Sequence, residues 1–188
     1  MNEQERRFIG HLEKLVKEQD KGALANLRRG LGKKPGTARV MDPHVLPYTA
    51  GLNLRQEEAY YIIGALFAMW YQGKESVDLN KPLNLGSSMH MLETRAVADG
   101  NTYEDAEERI GKYLSALLDS HQDELPERLR HAISLLKSKE IPVNWLQLLD
   151  DIQYWHREGQ FREHNWARSF WQSQDNNEEE NEINKETK

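Results

Sequence analysis

Residues 59–71 read AYYIIGALFAMWY, a run with no charged side chain and apolar residues at every phase of a helical wheel. A helix that is apolar all round has no face to give to water and must be buried on every side. The run falls short of the roughly 18 apolar residues that a membrane span needs. Other helices must therefore wrap it. Asn53, followed three residues later by Gln56, matches an N-cap with its capping-box partner and predicts where this helix begins.

The flanking sequence supplies the wrapping. Phe8, Ile9, Leu12, Leu15 and Val16 form one stripe and predict a helix over residues 3–18. Asp20 is placed to cap a second helix carrying Leu24, Leu27 and Leu31 inward, stopped by Gly30 and Gly32. Pro43, Pro47 and Gly51 predict an irregular connection over 37–53 with at most one short helix. After a loop at 73–85, Ser87 is expected to cap a helix through Met89, Met91, Leu92 and Val97. Asp99-Gly-Asn101 is a break. Thr102 then starts a helix burying Ala106, Ile110, Tyr113, Leu114, Leu117 and Leu118. Pro126 starts another, with Leu129, Ala132, Ile133, Leu135 and Leu136 inward. Pro142 and Asn144 introduce the stripe Trp145, Leu148, Leu149, Ile152 and Trp155. A last helix carries Phe161, Trp166, Phe170 and Trp171.

No strand pair and no internal repeat stands out. The expected fold is all-α, a helical bundle of about eight helices in two packed sub-bundles. These are residues 1–98 and a four-helix unit, 99–174. Residues 175–188 have almost nothing apolar to bury and read as a disordered acidic tail.

Charge is distributed unevenly. The chain has 31 acidic against 25 basic residues, a net −6. Yet residues 21–39 carry Lys21, Arg28, Arg29, Lys33, Lys34 and Arg39 and no carboxylate. Cations held together without internal counter-ions repel one another, and an external polyanion relieves that repulsion. Arg28 lies at the edge of the leucine stripe, where its stem can pack and its head can enter a salt bridge. Arg29 points away from the stripe. Lys33 and Lys34 precede a Pro-Gly loop. Arg55 sits in the first turn of the apolar helix, where a positive charge opposes the helix dipole. An anionic ligand removes that conflict, as does Glu57 or Glu58. Arg109 and Lys112 lie on the outer face of their helix, as do Arg128 and Arg130 on theirs. The tail holds six acids against two lysines. It reads as a solubilising terminus, or as an acidic flap competing with nucleic acid for a basic surface.

Catalytic signatures are weak. The absence of cysteine excludes disulfides, thiolate metal sites and a cysteine nucleophile, and fits a reducing compartment. The N-terminus shows no apolar signal region, so a soluble, cytoplasmic protein without membrane contact is expected. Gly30–Gly36 resembles a phosphate loop only loosely. No Ser or Thr follows its lysines, the glycine spacing fails and no strand precedes it. The histidines form no metal motif, and no cofactor is expected. Asp150-Asp151 is the compact carboxylate pair of the body. It reads as a polar face with a salt bridge, or as the metal site of a hydrolase. Adjacent helix residues diverge by about 100°, which works against shared metal ligation. Trp145, Trp155, Trp166 and Trp171 are able to stack bases, but at helical spacing they read as core.

The order of these features resembles the CasB-type small subunit of the type I-E CRISPR Cascade surveillance complex. The matching pieces are GALANLRRGLG with the turn at Val45-Leu-Pro47, the helix with ALFAMW, Asn84-Leu-Gly86 with Ser87, and the Glu108-Arg109 helix with SALLD. LRHAISLL, the Pro142-Val-Asn-Trp145 to Trp155 block and Trp166-Ala-Arg-Ser-Phe170 follow in order. Asn144 stands where the family leads one to expect an acid, and the Glu-rich tail lies outside the resemblance. The resemblance implies an all-helical, non-catalytic subunit present as a pair beside the backbone and large subunits. It also implies contact with guide RNA and with the target and displaced DNA strands of the R-loop, without sequence reading. Carried over by residue are Arg28, Arg29, Arg55, Arg109 and Arg130; Lys33, Lys34 and Lys112 are added from charge alone. The competing readings are a helical protein–protein scaffold and a metal-dependent hydrolase built on Asp150 and Asp151.

Overall fold

The computed structural model describes residues 2–74, 82–155 and 159–172, and every regular element among them is helical. The elements are α1 (Glu3–Lys17), α2 (Lys21–Arg28), α3 (Asp42–Val45), α4 (Leu54–Trp70), α5 (Leu85–Ala98), α6 (Tyr103–Leu118), α7 (Leu125–Ser138) and α8 (Trp145–Gln153). A further helix, α9, spans 161–172. The tail at 175–188 and most of the 73–85 loop lie outside the described residues.

Side-chain caps set most of the starts. Asn2 Oδ1 accepts from Glu5 N at 2.9 Å, Asp20 from Ala23 N at 2.9 Å and Asn53 from Gln56 N at 3.0 Å. Thr102 accepts from Asp105 N at 3.1 Å and Asn144 from Gln147 N at 3.2 Å. Each such cap contributes about 1 kcal/mol by satisfying an orphan N–H. One expected cap moves. Asn84, not Ser87, caps α5, accepting from Ser87 N at 3.1 Å. Ser87 becomes the third residue of the helix, because Asn84 is also held by Ser169 Oγ at 2.8 Å.

The connection at 37–53 is more helical than its prolines suggest. Arg39–Met41 and Leu46–Tyr48 are 3₁₀ turns flanking the single α-turn of α3. Both prolines stand in the first positions of their turns, where a missing N–H costs nothing. Phe161 also departs from expectation. It is 65% exposed, while Trp166 and Phe170 of the same helix are fully buried.

Helix α4 lies at the centre, with Tyr60, Ile63, Phe67, Ala68 and Trp70 inaccessible to solvent. It packs against α1, α2, α3, α7 and α8. Residues from both 1–98 and 99–174 thus share one buried cluster. Glycines permit the closest approaches. A Cβ on Gly64 would come to 3.2 Å of Leu27 Cδ2, so α2 settles directly onto the α4 backbone. A Cβ on Gly86 would overlap the main chain of Trp166, which fixes α9 against the start of α5.

Candidate nucleic-acid interface

The α2–α3 loop, the outer part of α4 and the α6–α7 corner enclose a cleft of about 880 Å³. Lys33, Lys34, Arg55 and Arg130 line it, so four predicted site residues from three distant stretches of sequence meet there. Gly32 and Gly36 bracket the two lysines, and both adopt φ values (69° and 76°) that glycine takes without strain. That turn holds the lysines exposed on the rim.

Arg55 is half-buried at the other wall. Its Nη2 donates to the main-chain carbonyl of Trp155, just beyond the end of α8. The dipole conflict expected at the start of α4 is therefore eased by a carbonyl at the C-terminal end of another helix, together with the nearby charge of Glu58. Glu57 instead accepts from Thr49 Oγ1 at 3.0 Å. The buried Nε of Arg55 has no hydrogen-bond partner among the described residues.

The cleft also has acids: Glu58, already expected beside Arg55, and Asp123 and Glu127, which the sequence did not single out. Burial pushes the Glu58 carboxyl up, and the charge of Lys34 pulls it part of the way back. Arg130 binds Glu127 through Nη2 at 2.6 Å and Nε at 3.0 Å. That bond holds Glu127 below the usual carboxylate range. Arg130 therefore reaches the cleft already paired. The cationic surplus rests on Lys33, Lys34 and Arg55.

The other expected contacts lie elsewhere. Arg28 is half-buried, and its Nη1 donates to Ala68 O at 3.3 Å. Its head thus meets the last turn of α4 rather than a carboxylate. Lys137 donates to Met69 O at 2.7 Å and Gln72 O at 3.2 Å, and Lys74 stands 4.4 Å over the Trp70 ring. Burial and the nearby charges of Lys74 and Arg28 lower the Lys137 pKa. Sequence reasoning passed over Lys137, although it lies two helical turns beyond Arg130 on one face of α7. Arg29 is exposed at the C-cap of α2. Arg109 and Lys112 are exposed on α6 and do not line the cleft; Lys112 pairs with Glu108. Arg39 faces Asp42 at 3.6 Å. Basic residues 21–39 are thus less short of counter-charge than their own stretch suggests.

Asp150 and Asp151 are 5% and 2% exposed, a buried pair rather than a polar face. Arg162 bridges them, 2.5 Å from Asp150 Oδ2 and 3.6 Å from Asp151 Oδ1. Asp151 also accepts from Trp166 Nε1 at 2.6 Å and Gln147 Nε2 at 2.9 Å. The bonds of Arg162 and Trp166 tie α9 to α8. Among the described residues no group of three or more His, Cys, Asp or Glu is placed to hold a metal ion. Trp145, Trp155 and Trp166 are core side chains, and Trp171 is half-buried.

The buried pair has a pH consequence. Burial raises the Asp151 carboxyl from 3.8 to about 6, against the opposing pull of Trp166, Gln147 and Arg162. The folded state thus holds this proton more tightly than the unfolded chain does. The resulting stabilisation is complete below about pH 4 and is lost as pH rises through about 6. Chemical denaturation of the protein and of Asp151→Asn measures it. Between pH 7.5 and pH 4.5 the wild type should gain about 2 kcal/mol on the variant, at about 1.4 kcal/mol per pKa unit. A difference that stays flat across that range contradicts the assignment.

No described helix is long and apolar enough to cross a membrane. Comparison with known proteins gives a consistent result. A family model described as CRISPR-associated protein Cse2 matches residues 23–171. A curated CRISPR-associated protein Cse2 from Thermus thermophilus is 28% identical over 168 residues, 88% of each chain. The crystal structure of CasB from Thermus thermophilus superposes with a TM-score of 0.72 at 24% identity, covering 91% of this chain and 99% of that one. A chain of a solved CRISPR RNA-guided surveillance complex gives 0.75 at 20% identity, covering 94% of this chain and 96% of that one.

Proposed function

We propose, on the premise that the chain belongs to the CRISPR-associated Cse2 family, that it is a non-catalytic subunit of an RNA-guided surveillance complex which grips nucleic-acid backbone in its basic cleft. The observation that carries this reading is the convergence of Lys33, Lys34 and Arg55 on one cleft, with Arg130 at its edge. Lysines on a glycine-bracketed turn meet phosphate as adaptable point charges, whereas Arg55 is fixed by Trp155 and presents a set direction. Such contacts position a strand without reading its bases.

In this reading residues 1–98 provide one wall and residues 99–174 most of the other, so a strand held in the cleft bridges the two segments. Its partners are the backbone and large subunits, a second copy of the chain, the guide RNA, and the target and displaced strands of an R-loop. Arg29, Arg109 and Lys112 serve a second stretch of backbone on the outer surface. Arg28 acts mainly by holding the end of α4.

The test is binding of matched and scrambled single-stranded oligonucleotides to the intact chain over a salt series. With about four phosphates neutralised, log K should fall against log salt with a slope of roughly −3, alike for all sequences. No retention at low salt, by the isolated chain or by the assembled complex, would leave a protein-binding scaffold as the better account.

A further inference from the structure

We infer that the acidic C-terminal segment, residues 173–188, is the resident occupant of the basic cleft in the free chain, a built-in polyanion that nucleic acid must displace. The inference rests on the reading of the cleft as a backbone-binding surface and adds what fills it in the absence of a strand.

Charge complementarity is its first ground. The segment SQDNNEEENEINKETK sets six carboxylates against Lys185 and Lys188, and four of the acids fall within residues 178–182. A run of carboxylates offers lysine and arginine what a phosphate backbone offers: closely spaced negative oxygens that accept charge-assisted hydrogen bonds. Lys33 and Lys34 stand exposed on the cleft rim to receive them.

Reach is the second. Trp155 lines the cleft, and its ring lies 4.6 Å from that of Trp166 in α9. From Trp166 to the end of α9 at residue 172 the helix advances about 9 Å. The segment therefore leaves the fold on the order of 20 Å from a cleft-lining side chain. Sixteen residues reach at most about 55 Å, which covers that distance.

The third is placement. The family model stops at residue 171. The acidic segment starts where the shared scaffold ends, so it is free to act on that scaffold without being part of it. Glu58, Asp123 and Glu127 in the cleft hold the attraction down. A weak, tethered contact is therefore expected, one that a longer polyanion replaces.

The experiment compares the full chain with a chain ending at Gln172, by fluorescence anisotropy of a scrambled single-stranded oligonucleotide. At low salt the shortened chain should bind about 3- to 10-fold tighter, since a tethered competitor acts at an effective concentration near millimolar. High salt should erase the difference. Glu178→Gln, Glu179→Gln, Glu180→Gln and Glu182→Gln together should reproduce the shortened chain. The natural chain has no cysteine, so Asn181→Cys carries a single nitroxide. It should broaden the amide signals of Gly32 and Gly36, and an oligonucleotide or salt should restore them. Absence of broadening overturns the inference whatever the affinities do, because an affinity gain alone then reflects long-range repulsion. Equal affinities also overturn it while leaving the cleft reading intact. Broadening with no oligonucleotide binding by either chain sinks the nucleic-acid reading and leaves the tail contact standing.

Discussion

Gly86→Ala should unfold the protein at a temperature lower by about 10 °C, a loss of roughly 3 kcal/mol for a chain of this size. The added methyl overlaps the carbonyl carbon, oxygen and Cα of Trp166. These are backbone atoms and cannot swing aside as a side-chain tip does. Relief requires α9 to move as a body. Moving it strains the hydrogen bonds of Asn84 to Asn165 O and Ser169 Oγ, and that of Trp166 to Asp151. It also opens the packing around Trp166 and Phe170, whose full truncation would cost about 3–5 kcal/mol each. Gly111→Ala is the control. A Cβ there meets Phe170 and Trp171 at 3.7–4.0 Å, ordinary packing distances. Alanine inside α6 should then gain up to about 1 kcal/mol from propensity alone. Thermal denaturation of the two variants should shift in opposite directions. A shift of the same sign and size in both would show that α5 and α9 are not in fixed contact.

The second large effect is expected in binding. Lys33→Ala with Lys34→Ala should reduce the salt slope by about 1.4, at 0.7 for each phosphate left unneutralised on a single strand. At low salt that amounts to a loss of affinity of at least about tenfold, equal for matched and scrambled strands. Folding should be untouched, because both side chains are exposed on a turn. Arg28→Ala should behave in the opposite manner. Its guanidinium is held by Ala68 O at the C-terminus of α4, so removing it weakens a helix end. The expected result is a lower melting temperature with a slope close to that of the wild type. If Arg28→Ala lowers the slope as much as the lysine pair does, the phosphate path runs past the end of α4, where Lys137 and Lys74 also stand.

The helices were legible because their apolar stripes and caps act over three or four residues, within the range of local sequence. Asn53 with Gln56 and Thr102 with Asp105 depend on no distant partner. The short turns at 39–48 were not legible, since a single turn carries no periodicity and its prolines read equally well as breakers. Ser87 and Asn84 are both good caps three residues apart. The choice between them was made by Ser169, far along the chain. The site divides in the same way. Lys33, Lys34 and Arg55 could be found from charge and helix position. Glu58 and Glu127 lie one helical turn from Arg55 and Arg130, within local range, whereas Asp123 joins Lys33, Lys34 and Arg55 only in the fold. Asp150 and Asp151 read as a polar face because Arg162, which lets them be buried, lies beyond the next loop, in the first turn of α9.

The all-round burial of α4 also has a consequence in time. Its covering helices α7 and α8 are encoded well after it. At about 5–20 residues per second, a ribosome needs roughly 4–17 s to extend the chain from the end of α4 to the end of α8. Until α7 and then α8 follow, Phe67, Trp70 and their neighbours lack the helices that complete their cover. The growing chain should therefore be a client of hydrophobic-segment chaperones during that window, and slowing translation between codons 71 and 153 should lower the yield of folded protein more than slowing it before codon 54.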